Sequence, residues 1–118
     1  MVIGQKTYYK VDRVESYILD NVTKQPNLTN VFNKTNVVSL DIDNMNVNLF
    51  IPNTDKSFTL RLENVTLNEN NDGSKYATID AYDDKNSYFR VFYAENSITL
   101  SYNNGPDIIM IVYYTNEI

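Results

Sequence analysis

The chain has no histidine, cysteine or tryptophan, and only three glycines and three prolines among its 118 residues. Each absence removes a chemistry. Without imidazole or thiol there is no Ser-His-Asp relay, no cysteine nucleophile, no thiolate zinc site, no thioredoxin-like centre and no disulfide staple. Gly4, Gly73 and Gly105 are too scattered to cradle a phosphate, and no GxxxxGK[ST], GxGxxG or GxSxG pattern occurs. No enzyme is expected, and therefore no catalytic or cofactor-binding residue. A membrane helix needs about eighteen or more consecutive apolar residues, and no such run is present. The start, Met1 to Lys6, has no apolar run after its charge and so does not read as a secretory signal. The net charge of −5, with ten scattered basic residues, disfavours nucleic acid, because phosphate contacts need clustered Lys and Arg. Neither nucleic acid nor membrane is expected as a partner.

What is abundant is Asn, at eighteen residues, and Tyr, at ten. AT-rich coding favours both, together with Lys and Ile, and it accounts for there being only three alanines, at Ala77, Ala81 and Ala94. Tyr also brings large contact area with a polar tip at small entropic cost, which enriches it at interfaces. A polar, aromatic binding surface is the functional reading of the same composition.

Apolar residues recur at every second position, so the chain reads as strands. Val38, Leu40 and Ile42 alternate with Ser39, Asp41 and Asp43, and the pattern resumes as Met45, Val47, Leu49 and Ile51 after Asp43-Asn44. Asp-Asn suits a tight turn because both residues tolerate positive φ. Phe58, Leu60 and Leu62 share a face, but Val65 and Leu67 fall on the opposite parity; a bulge near Glu63-Asn64 would turn them inward. Residues 75–82, 87–93, 97–102 and 107–115 continue an antiparallel meander. In the last of these, Ile108 to Val112 is continuously apolar, as for a central strand covered on both faces or shared with another subunit. At the N-terminus, a strand over Thr7 to Val14 with Tyr9 and Val11 inward is favoured over a short helix capped by Asp12 and Glu15. Residues 21–36 are polar and weakly periodic, and a long loop is expected there. The expectation is one all-β domain over 1–118, an antiparallel β-sandwich or jelly-roll-like barrel with at most one short helix.

Four motifs have a structural and a functional reading. Asn68 to Ser74 imitates the first half of an EF-hand loop, but position twelve of that frame is Ile79, so a hairpin turn at Asn71-Asp72-Gly73 is expected and no metal site. Asn21, Asn27, Asn33 and Asn64 begin Asn-x-Thr sequons, which chance supplies freely in an Asn-rich chain and which are expected to be empty. Asp41 with Asp43, and Asp80 with Asp83 and Asp84, read as solvated rows on strand faces. Asn103-Asn104-Gly105-Pro106 serves as a turn, and its functional reading is a loop tip touching a partner.

In size, composition and strand content the chain resembles small all-β accessory proteins of viruses and bacteriophages that decorate a capsid, join tail parts or sit at a fibre base. The resemblance rests on no alignable motif and carries no site residue over. It implies a non-enzymatic assembly module, made in the host cytoplasm and incorporated in a virion, that acts as a homo-oligomer or on a larger virion protein. The expected contact residues are Tyr113, Tyr114, Ile118 and Asn104. Two other functions fit the composition: a small acidic inhibitor of a host nucleic-acid-binding defence enzyme, and a carbohydrate-binding module using Tyr faces and Asn amides.

Overall fold

Period-two alternation produces strands wherever one face is buried, and the computed structural model, which describes residues 6–20 and 22–118, carries them throughout. The strands are β1 (Lys6–Leu19), β2 (Pro26–Phe32), β3 (Asn36–Asp41), β4 (Asn46–Phe50), β5 (Ser57–Glu69), β6 (Lys75–Tyr82), β7 (Tyr88–Ala94), β8 (Ser97–Asn104) and β9 (Asp107–Glu117). There is no helix among the described residues. Every pairing is antiparallel, and the order β1-β3-β4-β5-β6-β7-β8-β9 returns from β9 to β1. The all-β expectation holds, as an eight-stranded closed barrel with β2 added outside it. From β3 to β9 neighbouring strands are joined in sequence, the up-and-down way of removing sheet edges, while the chain passes through β2 between β1 and β3.

Long β1 organises this arrangement. Its first half, Lys6 to Val11, pairs with β3, whereas Val14 to Leu19 pairs with β2 on the same edge. On its other edge β9 runs alongside from Tyr9 to Leu19. A register shift between Val11 and Arg13 lets Val11 and Val14, three residues apart, both reach the interior, where each is fully buried. The capped helix at Asp12 does not form.

The loop expected over 21–36 requires correction, since β2 lies within it. Asn21 itself is outside the described residues, as are Met1 to Gln5 with Gly4. The strand escaped the periodicity test because only Phe32 in it is even half-buried. Backbone pairing to β1, not alternation of side chains, holds it.

The interior is aliphatic. Leu49, Leu60, Ile79, Ile98 and Leu100 are among the side chains 2% exposed or less, and burial of each contributes roughly 1.5–3 kcal/mol. The bulge expected near Glu63-Asn64 is present: register shifts between Glu63 and Val65, and Asn64 takes φ 51°. Val65 and Leu67 thereby pair with inward Ile79 and with Ala77, yet neither is turned into the core: Val65 stays 44% and Leu67 80% exposed. The hairpin of β5 and β6 runs past the packed core there. Gly73 (φ 88°) and Gly105 (φ 63°) occupy turns where a Cβ would be strained. Between β3 and β4 the turn is longer than Asp43-Asn44, and positive φ falls on Met45. Asp41 sets it by accepting Asn44 N at 3.2 Å and Asn44 Nδ2 at 2.9 Å, so Asp41 is buried against its own turn instead of standing beside Asp43 in solvent.

Candidate functional site

The four expected contact residues separate in space. Tyr113 is fully buried and its hydroxyl donates to the Phe50 carbonyl at 2.8 Å, with the two rings edge to face at 5.3 Å. It has no surface to offer a partner, and burial pushes its phenol pKa up. The sequence placed the Tyr113-Tyr114 pair on opposite faces but did not say which face was interior. Tyr114 points outward and is 38% exposed, Ile118 is exposed at the chain end, and Asn104 is exposed where β8 turns into β9. Asn104 pairs with Asp107 across a two-residue turn of Gly105 and Pro106, far along β9 from Tyr114.

Tyr114 belongs to a cluster that periodicity did not reveal. Arg13, Glu15 and Tyr17 alternate along β1, so their side chains share its outer face, and β9 brings Tyr114 opposite Arg13. Glu15 Oε1 accepts the hydroxyls of Tyr17, at 2.7 Å, and of Tyr114, while Oε2 accepts Arg13 Nε at 3.1 Å and Arg13 Nη2. The carboxylate is 8% exposed. The Tyr114 hydrogen bond, followed by those from Arg13 and Tyr17, holds its pKa down to about 2. Reciprocally, Glu15 pushes the Tyr114 phenol up to about 12. The spacing Arg-x-Glu-x-Tyr was legible in the sequence, but only to a reading that extended β1 beyond Val14.

Around this anchor the outer face of β2, β1 and β9 is apolar. Register sets three rows across it: Val31, Glu15 and Val112; Leu28, Tyr17 and Met110; Pro26, Leu19 and Ile108. Leu28 is 52% and Val31 38% exposed. The run Ile108 to Val112 is thus central in the sheet, with pairing on both edges, but half-exposed, because no second layer among the described residues covers its outer side. At the border of this face β2 has a free backbone edge among the described residues. Its sequence, Pro-Asn-Leu-Thr-Asn-Val-Phe, holds no charge. Edge strands are commonly guarded by Lys or other charges, and β2 lacks that guard.

The acidic rows do not assemble. Asp80 accepts Tyr88 Oη at 2.6 Å and Asn64 Nδ2 at 3.3 Å, and the Tyr88 bond lowers its pKa. Asp83 lies in the next turn, accepting the amides of Lys85 and Ser87. Asp72, in the calcium-like segment, takes the Ser74 amide and hydroxyl, as a hairpin turn requires. Asn27, Asn33 and Asn64 of the sequons are exposed.

Compared with known proteins, the chain matches no family model, and no curated protein or solved structure is similar enough to count as a match.

Proposed function

We propose that this chain is a non-enzymatic assembly module acting through protein–protein contact, with the outer face of β2, β1 and β9 as its contact surface. The observation that carries the reading is the coincidence of a neutral free edge at β2 with the exposed apolar rows beside it. A strand added to that edge gains backbone hydrogen bonds, and its side chains extend the rows of Leu28 and Val31. A second copy of the chain is the occupant proposed. Antiparallel pairing of β2 with β2 is self-complementary about a two-fold axis, and an uncharged strand meets no like-charge repulsion from its twin. The wider setting proposed is a virion, where such a dimer would be a building block or would yield its edge to a larger protein.

Sedimentation velocity tests the reading. The wild-type protein is expected to sediment as a dimer at micromolar concentration, and the Leu28→Lys/Val31→Lys double variant as a monomer with an unchanged circular dichroism spectrum. A wild-type protein that stays monomeric to the highest soluble concentration would remove the second copy as the occupant.

A further inference from the structure

Alternation sends the side chains of β8 and β9 to both sides of the sheet, so the strands that carry Met110 and Val112 outward carry Leu100, Tyr102 and Ile111 the other way. There they meet the barrel end where β4 passes to β5 and β6 passes to β7. The result is a cavity of about 890 Å³, open to solvent. Its floor is Leu60, Leu100 and Tyr113, all buried, with Tyr113 tied across the barrel to Phe50. The floor is rigid. The walls are Phe58, Phe89, Tyr102, Ile51 and Ile111, and the Phe89 and Tyr102 rings stand edge to face at 5.5 Å.

The rim is polar and of one sign. Asp83 and Asp84 line it with Ser87 and Asn103, and no Lys or Arg is among the lining residues. Asp83 Oδ1 accepts the amides of Lys85 at 2.9 Å and Ser87 at 2.8 Å, which fixes the β6–β7 turn that carries both Asp83 and Asp84. Ligand sites occupy roughly 300–1,000 Å³, are lined by apolar and aromatic groups, and use a few polar groups for orientation. An apolar, aromatic interior under an anionic rim attracts a positive charge twice over, through the carboxylates and through the negative ring faces.

We propose that this end of the barrel is a binding cup for a small amphipathic molecule with a flat ring system and a positive charge. The ring lies against Phe58, Phe89 and Tyr102, and the cationic group sits at Asp83 and Asp84. The cup and the outer face of β2, β1 and β9 lie on opposite sides of the sheet, so occupancy of one does not require the other.

Two dyes of opposite charge test the proposal: auramine O, a cation, and 8-anilinonaphthalene-1-sulfonate, an anion. Auramine O is expected to bind in a 1:1 ratio, with amide shifts in nuclear magnetic resonance spectra centred on Phe58, Phe89, Tyr102 and Ile111. Asp84 is an exposed turn residue, so Asp84→Lys is expected to keep the native spectrum. That variant should weaken auramine O about tenfold or more and strengthen the anion. Ile51→Trp, at a wall position already 45% exposed, should block both dyes by filling the mouth. No saturable binding, shifts centred on the outer face, or equal affinity of Asp84→Lys and wild type for auramine O would each overturn the proposal. The Leu28→Lys/Val31→Lys variant should bind auramine O normally, which separates this test from that of assembly.

Discussion

Tyr113 and Tyr114 are adjacent in sequence, yet their hydroxyls are held on opposite sides of one sheet, Tyr113 by the Phe50 carbonyl inside the barrel and Tyr114 by Glu15 outside. The first closes the barrel across its width. The second ties β9 to β1 along the surface.

Tyr113→Phe keeps the ring and removes the hydroxyl that reaches Phe50. Urea denaturation should show a loss of about 1–2 kcal/mol, the usual cost when a buried partner loses its hydrogen bond. Tyr113→Ala should cost about 3–5 kcal/mol through the cavity it leaves. An unchanged midpoint in Tyr113→Phe would mean that the bond to Phe50 contributes nothing.

Glu15 makes stability depend on acid. Its folded pKa is depressed to about 2 from an ordinary 4.5, so the ionised form favours folding. That contribution is complete above pH 4.5 and is lost as pH falls from there toward 2. Glu15→Gln should be less stable at neutral pH and should show a shallower decline across the same window. Parallel thermal profiles for the two proteins between neutral pH and pH 2 would contradict the role assigned to the cluster.

Removing residues 113–118 tests whether this end of the chain is interface or core. It takes away buried Tyr113 and Thr115 and the pairs Val11–Thr115, Lys10–Asn116 and Tyr9–Glu117 that close the barrel. Cooperative unfolding should disappear along with any association. Deleting Ile118 alone, which is 79% exposed, should leave the melting temperature where it was. A truncated protein that still melts cooperatively would show that the remaining β1–β9 pairs, from Glu15–Val112 to Leu19–Ile108, are enough to hold the barrel.

Asn64 holds φ 51° at the β5 bulge, a conformation that costs an ordinary residue roughly 1–2 kcal/mol. Asn64→Val should lose about that much stability, and Asn64→Gly should lose little. Chemical denaturation of the pair measures the difference, and equal midpoints would count against strain at the bulge.

Much of the barrel was legible in local pattern. Alternation in β3, β4 and β5 identified Val38, Leu40, Val47, Leu49, Leu60 and Leu62 as buried, and the parity change after Leu62 located the bulge at Asn64. These features are local because side chains on a strand alternate whatever the strand pairs with. The candidate sites were less legible. β2 carries no alternation, and its existence depends on the free edge of β1 beyond Val11.

By itself the sequence determined that the chain forms antiparallel strands, where most of them turn, and which catalytic chemistries lack their side chains. Only tertiary structure decided that β9 meets β1, and that closure put Tyr113 inside and Tyr114 beside Glu15. It also gathered Phe58, Phe89 and Tyr102, from three different strands, around one cup. The physical reason is range: alternation and turn preference act over a few residues, whereas closing a barrel pairs residues a hundred positions apart, and no local pattern encodes which edge will be met.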